Sequence, residues 1–309
     1  MKNKILALLA TIGLLSSVSA VEINDNLSIG GFIDGSYYDA DAANGEKSFD
    51  LDEIELQFDA NVGNVSGSVH IDNVNQAGND VLNIEQAHFT YSLDNGLSFT
   101  FGTFGSNLGL EGEDPAGLYT FSRAYSVDTD FNLGNTDAIT YSGLTIAYAA
   151  DVYSIAVSIN ENGTLGSTDD DLDFEISASY TGFDNLVLGG GYYVDNGQPN
   201  AERDIANIHA SYTIGKALIA GEIVSADDAN IANGEDAYLV LIDYDFTDKI
   251  GGALRYSEYE LTSTTEGEKL TIAPNYSITE SLGAIVEFSK IEEAGVDTDE
   301  VAVELTYTF

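Results

Sequence analysis

The sequence contains no cysteine and no tryptophan, and it has only 3 prolines among 309 residues. Without cysteine, the chain has neither a disulfide framework nor thiol chemistry. Basic residues are also scarce, since 10 lysines and arginines stand against 52 aspartates and glutamates. This imbalance argues against nucleic acid as a partner, because phosphates are bound by basic side chains. A content of 44% hydrophobic and 10% aromatic residues argues against a disordered chain.

Long apolar runs are absent except at the amino terminus. There, two lysines precede the apolar run Ile5–Leu15, and small residues follow at Ser17–Ala20. This order predicts a secretory signal peptide over residues 1–20, which leaves a mature chain of one domain at 21–309. The alternative, a transmembrane anchor, needs roughly 20 apolar residues, more than this run supplies. No later segment approaches the ~18 consecutive apolar residues typical of a membrane helix.

Most of the mature chain alternates between apolar and polar residues. The alternation is clear in residues 54–62, 86–93, 207–214 and 301–309. Because successive side chains of a strand point to opposite faces of the sheet, this period predicts β-strands with one apolar and one polar face. A soluble β-sandwich shows the same alternation, so the order and the ends of the strands must separate it from a membrane barrel.

Tyrosines recur at the ends of the predicted strands, on the apolar face. From Tyr148 to Tyr276 they are spaced by 32 residues, which is the length of one hairpin. A ring of tyrosines at one height on a lipid-facing surface is typical of the aromatic girdle of a membrane barrel. The alternative is a repeated core tyrosine of a soluble β protein. The predicted girdle consists of Tyr91, Tyr148, Tyr180, Tyr212, Tyr244, Tyr276 and Tyr307.

Short turns alternate with longer polar connections. Turn formers such as Asp94–Gly96 and Gly215–Lys216 make the short ones. The longer ones include residues 73–80, 105–136, 261–268 and 291–300. Outer-membrane barrels have short periplasmic turns and long extracellular loops. The sequence therefore predicts an all-β fold, a transmembrane antiparallel up-and-down β-barrel of about 16 strands.

Two places break the regular pattern. The alternation changes phase around Tyr141–Leu144, which predicts a β-bulge there. Pro274 lies within a predicted strand, where it cannot donate a ladder hydrogen bond.

The sequence ends in Leu305–Phe309, an alternating segment with a terminal aromatic residue. This ending is similar to the carboxy-terminal signal that the outer-membrane assembly machinery recognises, with Phe309 as its key residue. Together with the predicted signal peptide and the even strand count, it indicates the outer membrane of a Gram-negative bacterium.

Several segments resemble the OmpL-like β-barrel porins. The resemblance is carried by the opening strand Gly30–Tyr38, the strand Ile84–Tyr91, and the arm Phe101–Phe104 with the following Leu108–Glu111 and Tyr119–Arg123. It is clearest over residues 27–125, and Thr103 departs from it because a basic residue is common at that position. The resemblance implies an outer-membrane diffusion channel and gives no specific solute.

The polar parity of the strands predicts the side chains that face the interior of the barrel. Since rings of carboxylates favour cations, we expect a cation-selective channel for the passive diffusion of small hydrophilic solutes and ions. The opposing possibility is that most carboxylates lie near the channel mouths and have little effect on selectivity. The predicted wall residues are Glu55, Asp59, Asp72, Asp173, Glu175, Glu222, Asp243, Asp245, Arg255, Lys269, Glu287 and Glu304.

The longest connection, residues 105–136, follows the fifth strand of the predicted barrel. Its length and its mixture of charged and aromatic residues lead us to expect that it folds inward and narrows the channel. The residues expected at this constriction are Glu111, Glu113, Asp114, Tyr119 and Arg123.

Catalytic and metal-binding motifs are not found in the sequence. The histidines His70, His88 and His209 have inward parity, but neither a nucleophile elbow nor a His-Glu-x-x-His motif accompanies them. We therefore predict that the chain is not an enzyme and uses no cofactor or metal. The expected partners are outer-membrane lipid and lipopolysaccharide, the assembly machinery, solutes and cations, and two further copies in a homotrimer.

Other functions remain open at this point. One is a substrate-specific channel for an oligosaccharide or peptide, in which Tyr193 and Tyr259 would form a sliding surface. Another is a closed structural or adhesive barrel. A lipid-modifying barrel enzyme is the most distant alternative.

Overall fold

The computed structural model describes residues 20–41, 45, 47–76, 79–111, 115–124, 140–162, 172–196, 203–228, 235–262, 265–293 and 295–309. The predicted signal peptide lies outside this part of the chain, apart from Ala20. The described residues include one short 3-10 helix, Pro115–Gly117, and no helix that is long and apolar enough to cross a membrane. The strands are β1 (Val21–Asn24), β2 (Leu27–Ala40), β3 (Lys47–Val62), β4 (Val65–Gln76), β5 (Asn79–Ser92), β6 (Leu97–Gly105), β7 (Thr140–Ala149), β8 (Tyr153–Asn162), β9 (Asp173–Phe183), β10 (Leu186–Asp195), β11 (Arg203–Ile214), β12 (Ala217–Asp228), β13 (Glu235–Asp245), β14 (Ile250–Thr262), β15 (Thr265–Ser277), β16 (Leu282–Glu293) and β17 (Val296–Thr308).

Strands β2 to β17 form a closed barrel. Each pairs antiparallel with the next strand of the sequence, and β17 pairs with β2 to complete the ring. Two backbone hydrogen bonds of 3.0 Å between Gly31 and Phe309 extend this closing pair to the last residue. The short β1 forms a hairpin with the first residues of β2. The predicted antiparallel barrel of about sixteen strands is therefore confirmed.

One end of the barrel, which we call the turn rim, carries only short connections of two to four residues. Tight hairpin turns need residues with positive φ, a conformation that glycine and asparagine adopt most easily. Gly63, Asn185 and Gly215 supply it, with φ angles of 64°, 60° and 61°. The predicted turn formers Asp94–Gly96 and Gly215–Lys216 both lie at this rim.

The connections at the opposite end, the loop rim, are uneven in length. β4 ends at Gln76 and β5 begins at Asn79, and the pairs β14–β15 and β16–β17 are joined equally closely. The prediction of long loops at 73–80, 261–268 and 291–300 is therefore wrong. The described strands continue into these segments, and consecutive polar residues such as Asp297–Glu300 hide the alternation in the sequence.

The faces of the barrel reverse the arrangement of a soluble protein. In β11, the outward Ile208 is 64% exposed, whereas the inward Asn207 and His209 are each 7% exposed. The same holds around the ring, so the outer surface is a broad belt of exposed aliphatic and aromatic side chains. Such a belt on a closed barrel faces hydrocarbon rather than water. The fold and its apolar outer face are those of a barrel of the Gram-negative outer membrane.

The two predicted irregularities have different outcomes. The prediction of a bulge at Tyr141–Leu144 is wrong, because β7 keeps an unshifted register with both neighbours there. The phase appeared to change because the apolar Tyr141 points inward, where it is 0% exposed. The strand around Pro274 is confirmed as β15, and Pro274 pairs with Gly252 of β14. Bulges occur instead at other positions, including Asp34/Gly35 and His70/Ile71.

Candidate functional site

Part of the connection between β6 and β7 lies inside the barrel. The structure describes residues 106–111 and 115–124 of this connection, and we call these residues the inward loop. Its first residues are fixed to β9: Ser106 Oγ donates to Glu175 Oε2 over 2.6 Å, and the Asn107 backbone N–H donates to Glu175 Oε1 over 3.2 Å. Glu175 is 1% exposed. The loop thus starts with hydrogen bonds to an interior carboxyl group.

Apolar side chains of the inward loop pack against an apolar part of the inner wall. Leu108 belongs to one cluster with Phe104, Tyr141 and Tyr193. Leu110 and Ala124 belong to a second cluster, in which Tyr119 also packs. The wall residues of this second cluster, which we call the loop seat, are Ala220, Leu239, Leu241, Ala253 and Ala273.

Arg255 of β14 holds the centre of the inward loop. Its guanidinium is 0% exposed, and Nη1 donates to Glu111 Oε1 over 2.8 Å, to Thr120 Oγ1 over 2.6 Å and to the Ser122 carbonyl oxygen over 2.6 Å. Nη2 donates to Ser122 Oγ over 3.0 Å. One buried cation therefore satisfies acceptors on both described parts of the loop, and the planar fork of an arginine suits this arrangement.

A further carboxylate fixes the loop on the other side of Arg255. Glu287 of β16 accepts from the Ser122 backbone N–H over 3.0 Å and from the Ser122 hydroxyl. Within the loop, the Ala124 backbone N–H donates to Glu111 Oε2 over 2.7 Å. The hydrogen bonds of the described loop thus run from β9 through β14 to β16, which carries the loop across the interior.

The residues predicted at the constriction are only partly described. Glu111 contacts Arg255, and Arg123 is half-buried in the returning part of the loop. Burial, with a smaller contribution from the carboxylates of Asp243 and Asp245, raises the pKa of Tyr119, so its phenol stays neutral. Glu113 and Asp114 lie outside the described residues.

The twelve predicted wall residues lie in three kinds of environment. Asp59, Asp72 and Asp243 are partly exposed. Asp245 is exposed near the turn rim. Those buried inside the barrel, each at most 8% exposed, are Glu55, Asp173, Glu175, Glu222, Arg255, Lys269, Glu287 and Glu304.

Tyr193 and Tyr259 do not form a sliding surface. They are 0% and 4% exposed and belong to the apolar cluster under the inward loop. The Tyr193 hydroxyl donates to Asp173 Oδ2 over 3.0 Å, so it is occupied by the wall itself. This removes the side chains that favoured a substrate-specific channel.

The seven girdle tyrosines lie on the outer surface, with exposures between 37% and 46%. Each is placed near the turn rim by its register. Tyr212 lies opposite Leu186, Tyr244 opposite Ala217, and both partners are the first residues of their strands. The tyrosines therefore stand at one height.

Sequence reasoning missed a second set of outward aromatic residues nearer the loop rim. It includes Phe174, Tyr192 and Tyr238, which are 38%, 39% and 40% exposed. Tyr238 precedes the girdle residue Tyr244 by six positions on β13, roughly 20 Å along a strand. The Tyr192 hydroxyl donates to the outward Asp204 over 2.7 Å, so polar groups begin at this height. A search on the same parity would have found these residues.

Comparison with known proteins supports the fold. The structure matches OmpT, an outer membrane protein of Vibrio cholerae, with a TM-score of 0.69 at 15% identity, covering 94% of this chain and 100% of that chain. It matches an anion-selective porin from Comamonas acidovorans with a TM-score of 0.68 at 12% identity, covering 92% and 99%. It matches the outer membrane channel DcaP of Acinetobacter baumannii with a TM-score of 0.66 at 14% identity, covering 94% and 99%. No protein-family model and no curated protein sequence matches the chain.

Proposed function

We propose that this protein is a porin through which small hydrophilic solutes and ions cross the outer membrane by passive diffusion. The observation that carries the proposal is the inward loop, which Arg255 and Glu287 hold across the interior of a sixteen-stranded barrel. Barrels of this size enclose an aqueous channel, and a loop fixed inside one narrows it. The similar structures that are named as a porin and as a channel support this proposal over an enzyme.

The route for solutes follows from where the loop is fixed. Its hydrogen bonds go to β9, β14 and β16, and its apolar residues cover the loop seat. The wall formed by β3 to β5 carries the inward polar side chains Asp59, Ser68 and His70 instead. We place the open passage between this polar wall and the inward loop.

We further propose that the channel prefers cations. The inward cation Arg255 is neutralised by Glu111, and Lys269 lies 4.0 Å from Glu300. Asp59 and Asp72 are partly exposed on the polar wall. A passage lined by carboxylates raises the local concentration of cations. The anion-selective porin among the similar structures indicates that this fold accommodates either preference, so the wall charges decide.

The test is single-channel conductance of the refolded mature chain in a planar bilayer under a gradient of potassium chloride. We expect open channels whose reversal potential has the sign of potassium permeation. Open channels whose reversal potential has the sign of chloride permeation would support the porin proposal and contradict the proposed cation preference. A folded barrel without conductance would overturn the porin and favour the closed structural alternative.

Two features suit assembly in the outer membrane. Phe309 pairs with Gly31 at the closing strands, and the girdle tyrosines suit a lipid interface. A second structure of the Vibrio cholerae protein is described as its trimer form. We propose a homotrimer, with Phe309 as the assembly signal. Light scattering on the detergent-solubilised barrel would show a mass of three chains, and a mass of one chain would contradict the trimer.

A further inference from the structure

Three side chains with metal-ligand chemistry meet on the polar wall. Glu55 of β3, His70 of β4 and Glu85 of β5 each bring one ligand atom to a group whose members all lie within 4.8 Å of one another. His70 Nδ1 and Glu55 Oε1 are 3.2 Å apart. Two ligands of a tetrahedral zinc ion, each about 2.0–2.2 Å from the metal, are separated by a similar distance of roughly 3.3–3.6 Å.

A β-bulge brings Glu85 into this group. In the β4–β5 ladder, His70 pairs with Gln86 and Ile71 pairs with Ile84, so Glu85 is the extra residue. Before the bulge, even-numbered residues such as Ile84 face outward, and Ile84 is 61% exposed. After the bulge, odd-numbered residues such as Phe89 face outward, and Phe89 is 51% exposed. Bulges re-aim side chains in this way and are common next to functional sites. In an unbroken strand, the successive residues Glu85 and Gln86 would point to opposite faces of the sheet.

A hydrogen bond to Ser68 fixes the orientation of the His70 ring. Ser68 Oγ donates its single proton to Asp59 Oδ1 over 2.7 Å, so it accepts from His70 Nε2, which is 3.0 Å away. Nε2 therefore carries a proton, and Nδ1 is the ring nitrogen that faces Glu55 Oε1. Metal-binding histidines are oriented in the same manner by an outer hydrogen bond to their second nitrogen.

Glu55 supplies an independent indication of a ligand. Its side chain is 2% exposed, and Oε2 has no hydrogen-bond partner among the residues that the structure describes. A buried carboxylate oxygen without a partner is costly unless a cation or a donor satisfies it. His70, at 12% exposure, keeps the group in contact with the interior, so an ion can reach it.

From this geometry we infer that Glu55, His70 and Glu85 form a binding site for one divalent transition-metal ion, with Zn²⁺ as the best fit. One imidazole nitrogen and two carboxylate oxygens match zinc, whereas calcium and magnesium prefer oxygen ligands alone. Three protein ligands leave a coordination position open toward the interior, as in zinc sites that hold water. The site does not depend on the proposed transport function.

The experiment is equilibrium dialysis of the untagged, refolded mature barrel against radioactive zinc, with magnesium in large excess to occupy sites made of carboxylates alone. We expect the wild-type chain to bind one zinc ion per chain. His70→Asn and Glu85→Gln should each weaken binding about 100-fold or more, and Ser68→Ala about 10-fold through its outer hydrogen bond. Circular dichroism of each variant confirms that the barrel is folded.

The matched control is His209→Asn. His209 is also an inward histidine, and it lies opposite the carboxylate of Glu222 in the β11–β12 ladder, but it belongs to no three-ligand group among the described residues. Zinc binding to this variant should equal that of the wild type. Equal binding to wild type and His70→Asn would overturn the site. So would the absence of a one-to-one zinc complex in the wild type, which would leave His70 and Glu55 as an ion pair.

Discussion

Arg255 and Glu111 are joined by a hydrogen-bonded ion pair of 2.8 Å inside the barrel, although 144 residues separate them in the sequence. Replacing Arg255 with Met removes this pair and leaves the Glu111 carboxylate buried without its cation, a change that costs about 3–5 kcal/mol. We expect the barrel to fold, because its strands are held by backbone hydrogen bonds. We expect the inward loop to detach from the wall. Single-channel recordings should show a larger and noisier conductance.

Arg255→Lys is the matched variant. A lysine keeps the charge but cannot make four simultaneous hydrogen bonds, so its conductance noise should lie between those of wild type and Arg255→Met. A quiet channel of unchanged conductance in Arg255→Met would contradict the role of Arg255 as the loop anchor.

The polar wall should set the ion preference. Asp59→Asn combined with Asp72→Asn removes two partly exposed inward charges with little change in side-chain volume. We expect the reversal potential in a potassium chloride gradient to move toward zero, because fewer carboxylates attract potassium. Glu258→Gln is the control, since Glu258 faces outward and accepts from the Tyr256 hydroxyl over 2.6 Å. An equal shift in both variants would assign selectivity to the whole surface charge rather than to the wall.

Limited proteolysis should report the position of the inward loop. Arg123 is the only basic residue between Lys47 and Arg203, so trypsin cleavage there gives two recognisable fragments. Leu110→Ala removes an apolar contact with the loop seat and destabilises the packed position of the loop by about 2–5 kcal/mol. A loss of even 2 kcal/mol raises the fraction of molecules with a detached loop roughly 30-fold. We expect resistance in wild type and cleavage after Arg123 in the variant.

The control for this cleavage is Ile219→Ala, which truncates an outward residue beside Ala220 of the loop seat. Ile219 is 44% exposed on the outer surface, so the loop should remain protected. If wild-type protein were cleaved after Arg123 as fast as Leu110→Ala, the packed position of the loop would be wrong.

The depth of an outward residue should determine the cost of placing a charge there. Ile208 lies in the middle of β11 and Ile214 at its end, at exposures of 64% and 57%. Ile208→Arg should destabilise the barrel in lipid by about 2–4 kcal/mol, and Ile214→Arg by about 0–1 kcal/mol, because only the first charge meets the hydrocarbon midplane. Equilibrium unfolding in urea from lipid vesicles measures both. Equal costs would contradict the assignment of the girdle to an interface.

Alternation predicted the barrel because a closed sheet between lipid and water imposes one period on nearly every strand. It predicted the interior less well, since it equates an inward side chain with a polar one. Where the inward loop covers the wall, inward residues are apolar, as with Ile205, Val224 and Leu239. Tyr141 was misread for the same reason. In β13, residues 237–242 are apolar on both faces. A strand that is apolar on its inner face as well indicates that another part of the chain packs against it inside the barrel.

Other features were also missed in the sequence. The bulge that turns Glu85 inward shifts the register by one residue, and it leaves a phase change, because the outward position Ile84 is even-numbered and the outward position Phe89 is odd-numbered. The partners of Arg255 are distant in sequence, so parity placed the guanidinium inside without revealing the loop that it holds. Near the loop rim, consecutive polar residues in the sequence concealed the ends of strands such as β17.

The apolar loop seat has a consequence for any attempt to widen this barrel. Deleting the inward loop would not leave a larger water-filled tube, because Leu239 and Leu241, which are 1% and 2% exposed beneath it, would become bare wall. Water withdraws from narrow apolar stretches, and amphipathic molecules adsorb to them. A barrel without the inward loop would therefore have one polar and one hydrophobic side to its channel. It would select molecules by their hydrophobicity as well as by their size.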